Sequence, residues 1–193
     1  MAKGERTRAR TVEKFLDVGL AVFADRGFHA ASMDEICTRA ALSRGAFYSN
    51  FSGKEALFFA LFDRHAENQV GRITAVIDGA DSLDAAIAGA ARAAAADDPD
   101  ERRWALLSTE FTIYAARDAE AARRLTDRDV VLRERLSAAL ARFIEPHDAA
   151  ALARYAIALY EGAQLTHLVD RDSAAARELL LRFLPAGLHT VGG

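Results

Sequence analysis

The chain has 193 residues, a formal charge of −3, three prolines and one cysteine, and just over half of its residues are hydrophobic. Alanine, leucine, arginine and glutamate dominate while strand formers are scarce, which points to an all-α protein long enough to bury a core. The single Cys37 excludes an internal disulfide framework and a cysteine-rich metal site, and the longest strongly apolar run, 56–62, is too short to span a bilayer. The basic start "MAKGERTRAR" leads into no apolar signal region, so a cytoplasmic protein is expected. Charge is unevenly spread. Residues 1–54 hold nine Lys/Arg against six Asp/Glu, and the remainder sixteen against twenty-two, a basic head on an acidic body.

In chain order, residues 1–7 read as a disordered basic arm, to which Lys3, Arg6, Arg8 and Arg10 bring charge. Val12, Phe15, Leu16, Gly19, Leu20 and Phe23 then follow the spacing of one buried helical face. Gly27 ends that helix in a left-handed conformation, with Phe28 folding back on Phe23. The capping box "SMDE" (32–35) opens a short helix holding Ile36 and Ala40 inside. "AALS" (40–43) turns the chain, and Ser43 caps a second short helix over 44–51. A further capping box, "SGKE" (52–55), starts a long helix to about Gly79. Beyond it are expected a small-residue helix from Asp81 or Ser82 to about 97–100, a helix over 101–116 and another over 118–144. Pro146 breaks the chain, and apolar helices follow over 148–169 and 173–184, closed by Pro185. About nine helices result.

Two short helices joined by a tight turn, the second rich in small polar groups, describe a helix-turn-helix over 32–51. At about 100° per residue, Ala46, Phe47, Asn50 and Phe51 share one side of the second helix, and Arg44, Gly45, Tyr48 and Ser49 the other. The phenylalanines pin the helix down while a compact polar face is left outward. Such a face fits a major groove, where Arg44 would take a guanine edge with two donors. Ser32, Ser43, Tyr48 and Lys54 suit phosphate contacts at helix starts, and Asn50 completes the candidate set.

The stretch "FADRGFHAASMDEICTRAALSRGAFYSNFSGKEAL" closely resembles the DNA-binding domain of the TetR (tetracycline-repressor) family of transcriptional regulators. The likeness rests on Gly27–Phe28, Ser32, Ile36, Ser43, Gly45, Phe47–Tyr48, Phe51 and "SGKEAL", and covers about residues 8–65. It implies a helix-turn-helix domain over 8–54, joined through a long fourth helix to a helical ligand-binding and dimerisation domain over 55–193. It further implies that Arg44, Gly45, Ala46, Tyr48 and Ser49 face an operator while Ser32, Ser43 and Lys54 clamp its backbone. Four positions depart from the family pattern. Ala41 stands where glycine is usual in the turn, Ala46 replaces a frequent serine or threonine, and Ser49–Asn50 replaces bulkier rings.

A two-fold dimer would read two half-sites of a palindromic operator. The wide apolar faces of 148–169 and 173–184, with Gly162 and Ala163, are the expected interface, forming a four-helix bundle. The resemblance also implies a cavity for a small, largely apolar effector, with Phe62, Trp104, Phe111 and Tyr155 as bulk and His65, Gln69, Gln164 and His167 as hydrogen-bonding groups. No metal or cofactor is expected. The histidines (29, 65, 147, 167 and 189) form no metal spacing, and there is no phosphate loop, dinucleotide glycine pattern or nucleophile elbow to suggest an enzyme. The expected function is a ligand-released repressor; the alternative is a dimeric ligand-binding or interaction protein with weakened DNA binding.

Overall fold

The computed structural model describes residues 3–96, 100–170 and 173–187, which form nine α-helices and no strand. Helix α1 (Lys3–Arg26) begins earlier than expected. Lys3 to Thr7 form its first turn rather than a disordered arm, with Lys3, Glu5 and Arg6 favouring the helix although Gly4 and Thr7 do not; residues 1 and 2 lie outside the described set. Gly27 ends α1 at φ +80° with its N–H on the Phe23 carbonyl, and Phe28 returns onto Phe23 with ring centroids 5.7 Å apart.

In α2 (Met33–Arg39) the Ser32 hydroxyl accepts the Glu35 N–H at 3.1 Å. The reciprocal half of the expected box is replaced, since the Glu35 carboxylate accepts from Arg39 at 2.7 Å and Arg26 at 3.4 Å. The turn that follows places Ala41 at φ +49°, the strained conformation foreseen for an alanine at a glycine position. Helix α3 (Arg44–Tyr48) is capped by Ser43, whose hydroxyl accepts the Ala46 N–H at 3.1 Å. It is shorter than the expected 44–51, because the Asn50 and Phe51 amides converge on the Phe47 carbonyl and turn the chain.

Helix α4 (Lys54–Asp78) opens from Gly53 in extended backbone with no side-chain cap, so the second expected box does not form. Its would-be acid, Glu55, instead accepts from the Tyr114 hydroxyl at 3.1 Å. The body continues with α5 (Leu83–Ala94), α6 (Glu101–Ala115), α7 (Ala119–Leu140), α8 (Pro146–Asp170) and α9 (Ser173–Ala186). Pro146 starts α8 rather than interrupting the chain, since a first-turn proline loses no helical hydrogen bond. Residues 97–99, 171 and 172 lie outside the described set, as does His189.

Two cores divide α4 between them. Its first half packs Leu57, Phe58, Leu61 and Phe62 with Phe15, Phe23, Phe28, Phe47 and Phe51 of the head, and also with Trp104, Leu107 and Phe111 of α6. Its second half packs Val70 and Ile77 against α5, α7 and α8. The head core extends past residue 54 into the first half of α4, so that helix belongs to both parts, and it reaches α6 through aromatic side chains. The approach of α1 to α4 is close enough that a β-carbon on Gly19 would meet Leu57 at 3.0 Å. No helix of the described residues is long and apolar enough to cross a membrane.

Ala41 is exposed, so its strain has no packing compensation. Ala41→Gly should stabilise the fold by about 1 kcal/mol, seen in thermal denaturation as a rise of roughly 2–4 °C; an unchanged or lower midpoint would contradict that account.

Candidate nucleic-acid interface and ligand cavity

Helix α3 is fastened by two aromatic side chains and presents its other side outward. Phe47 and Phe51 are buried edge-on against Phe15, at 5.3 and 6.1 Å. Arg44, Gly45, Tyr48 and Ser49 are all exposed, Tyr48 by 53%. A β-carbon on Gly45 would meet only the Ser43 hydroxyl, at 3.7 Å, so the backbone there is open to close approach. Ser32 and Ser43 are exposed caps whose hydroxyls already accept amides.

Three expected DNA contacts are placed otherwise. Ala46 is half-buried against the head core, and Asn50 turns inward. The Asn50 amide donates to the Ala46 carbonyl at 2.8 Å, and its oxygen accepts from Arg8 Nε at 3.0 Å, which docks α1 on the end of α3. Both positions fall on the side of α3 that carries Phe47 and Phe51, as the 100° spacing requires. Lys54 clamps the protein's own backbone: its Nζ donates to the His29 carbonyl at 2.9 Å and the Ala31 carbonyl at 3.2 Å, and lies 4.8 Å from the Phe28 ring centroid. Burial lowers the Lys54 pKa, opposed by the charge of Glu110.

Arg44 is exposed but engaged, its Nε and Nη2 both donating to the Asp34 carboxylate. That fork lowers the Asp34 pKa and raises that of Arg44, chiefly through the hydrogen bonds. Both side chains are more than 60% exposed, so the pair is weakly held and exchangeable for another acceptor. It aims the guanidinium outward from α3 without burying it.

Behind the outward face of α3, head and body meet at a polar joint. Glu110 of α6 accepts the Phe28 N–H at 2.8 Å, filling the place beside Gly27 where a β-carbon would stand 3.0 Å from its oxygen. Tyr114 of the same helix reaches Glu55 on α4 and packs on His29 and Phe28, with ring centroids 5.5 and 5.6 Å away.

The body encloses a cavity of about 510 Å³ between α4, α5, α6, α7, α8 and α9, within the size range of small-molecule sites. Of the residues expected there, Phe62, His65, Gln69, Trp104 and Gln164 line it. His65 stacks on Trp104 with centroids 3.9 Å apart. Gln69 and Gln164 both donate to the Tyr160 hydroxyl, at 2.9 and 2.8 Å, and burial raises the Tyr160 pKa strongly, reinforced by Glu101. Phe111, Tyr155 and His167 are not in the wall. Phe111 is fully buried in the head core, stacked on Phe58 at 4.1 Å. Tyr155 is 39% exposed and donates to the Phe183 carbonyl at 2.7 Å, linking α8 to α9 outside the cavity, and His167 lies further along α8.

Arg128 was not among the expected residues, yet it lines the cavity with only 15% of its side chain exposed. A signal existed. Leu125, Arg128, Leu132 and Leu136 share the i, i+3, i+7, i+11 stripe of α7, so an arginine stands within an apolar face.

Residues 15–61 match the family model described as bacterial regulatory proteins, tetR family. Over 52 residues the chain is 48% identical to the HTH-type transcriptional activator FasR of Mycolicibacterium smegmatis, an alignment covering 27% of this chain and 24% of that protein. Over 74 residues it is 35% identical to the HTH-type transcriptional regulator UidR of Escherichia coli, covering 38% of each. The chain thus spans well under half the length of these relatives, and the likeness lies in the head.

Likeness of fold extends much further. The TetR-family transcriptional regulator SCO4454 of Streptomyces coelicolor superimposes with a TM-score of 0.77 over 97% of both chains at 21% identity. Salmonella enterica GusR does so at 0.73, over 94% of this chain and 95% of that one, at 22% identity. The head is similar to tetR-family regulatory proteins over residues 15–61, and the chain shares the fold of a TetR-family structure.

Lys54→Met would keep the stem over Phe28 while leaving two carbonyls without their charged donor. Chemical denaturation should show a loss of about 1–3 kcal/mol. The salt dependence of any duplex binding should not change, whereas a phosphate contact at Lys54 would make it shallower by about one ion.

Proposed function

We propose that the chain is a sequence-specific, DNA-binding transcriptional regulator, acting as a repressor that a small, largely apolar ligand releases from a palindromic operator. The observation that carries this reading is the build of α3, with Phe47 and Phe51 anchored inward and Arg44, Gly45, Tyr48 and Ser49 left on one exposed, open face. Arg44 would exchange Asp34 for a guanine edge, Tyr48 would lie along the groove wall, and the Ser32 and Ser43 caps would sit at the flanking phosphates. Residues 8–54 would thus contact DNA, in the cytoplasm, while 55–193 bind the effector and a second copy.

Homodimerisation through 148–169 and 173–184 is supported by the apolar surface left outward there. Leu165, Val169, Leu181 and Phe183 are exposed, Val169 by 77%, and nothing stands within 4 Å of a β-carbon placed on Gly162. Ala163, in contrast, is buried within its own subunit. The two heads would then meet half-sites about 34–36 Å apart or a multiple of that.

Helix α4, roughly 37 Å long at 1.5 Å per residue, has Leu57 and Phe58 in the head core and Phe62, Gln69 and Val70 in the cavity wall. A ligand that favours one packing of α4 and α6 over another would alter the head spacing and so the affinity for DNA. Occupation of Arg44 by Asp34 and withdrawal of Lys54 favour the second reading, a dimeric ligand-binding protein with weakened DNA contact.

Selection from random duplexes followed by binding titrations decides between them. A palindrome is expected, with affinity falling steeply as salt rises and falling about tenfold or more in Arg44→Ala and in Tyr48→Ala. Failure to bind any duplex at low ionic strength would reject the DNA-reading function and leave the second reading.

A further inference from the structure

From the charged group in the cavity wall we infer that the effector is an amphipathic carboxylate, with an apolar body along the cavity and its anionic end on Arg128. This rests on the reading of the cavity as an effector site and assigns the chemical class of its ligand. Arg128 projects from the apolar stripe of α7 into a wall otherwise rich in Phe62, Val70, Ile73, Leu132 and Leu136. Its guanidinium carbon lies 4.5 Å from the Phe62 ring centroid, and its Nε is buried with no hydrogen-bond partner. The Nη1 stands 3.6 Å from Asp129 Oδ1, beyond hydrogen-bonding distance.

A buried donor without an acceptor is costly, and a cation in an apolar wall more so. A ligand oxygen at Nε would remove that cost. A carboxylate suits it best, since its two oxygens accept the parallel N–H bonds of the guanidinium fork. Burial raises the pKa values of the two acids on this wall, Asp129 and Glu161, against the opposing charges of Arg128 and Arg133, which lessens their negative charge beside an incoming carboxylate. These acids already have cationic neighbours, whereas Arg128 Nε lacks an acceptor. An ammonium ligand would bring further donors to a place that needs an acceptor, and an alcohol only a single neutral one.

Decanoate, decanol and decylamine share one apolar body and differ in the head group. Titration calorimetry and the emission of Trp104, the only tryptophan in the sequence and part of the cavity wall, read their binding to the full chain. Decanoate is expected to bind about tenfold or more tightly than decanol, and decylamine more weakly than either. Arg128→Gln should reduce the preference for decanoate over decanol to near unity. Arg128→Lys, which keeps the charge but not the fork, should retain only part of it. Thermal melting of the unliganded variants checks that they fold, and the lysine variant carries the test if the glutamine variant does not.

Equal binding of the three probes, tighter binding of decylamine, or an undiminished preference in a folded Arg128 variant would overturn the carboxylate assignment while leaving the cavity as an effector site. Failure of all three to bind would remove both.

Discussion

The stacking of Phe58 on Phe111 is the contact on which the rest of the molecule depends. Phe58 belongs to the helix that leaves the head, and Phe111 to a helix of the body; their rings lie 4.1 Å apart and both are fully buried. Around them Phe23, Phe28, Phe59 and Phe62 pack at 4.8 to 6.3 Å. Aromatic rings bury large areas and prefer defined relative orientations. A cluster of them makes a stiff joint rather than a pliable one, so head and body share a core although their charge balance and surface differ.

Polar groups trim that joint. The loop after α1 must turn at Gly27, which leaves the Phe28 amide pointing at the body, and the Glu110 carboxylate takes it. Lys54 collects two carbonyls of the same loop from the other side. The base of the helix-turn-helix is thereby held by an acid from α6 and a base from α4, the two helices that also supply Phe62, Gln69, Trp104 and Ser108 to the cavity wall. Helices α4 and α6 thus touch both the cavity and the loop that supports α2 and α3.

Much of this was legible in residue order. The helical faces, Gly27 with Phe28, the caps at Ser32 and Ser43, the strained Ala41 and the outward set Arg44, Gly45, Tyr48 and Ser49 all follow from period, capping and φ preference. Three expected site residues share one physical circumstance. Lys54, Asn50 and Phe111 were assigned to a ligand or a groove by residue type, yet each is engaged by a group far away in sequence. Lys54 is held by carbonyls 23 and 25 positions earlier, Asn50 by Arg8, and Phe111 by Phe58. Arg128 is the opposite case, a charge that local order would leave in solvent and that packing places in the cavity wall.

Local order in the chain by itself determined the helices, their caps and the two-sided character of α3, because hydrogen bonds and torsional preferences act within a few residues. Tertiary structure alone decided which polar side chains remain available. A lysine, an asparagine or an arginine has the same local preferences whether it meets solvent, backbone or a cavity, and only the packing of distant helices selects among these.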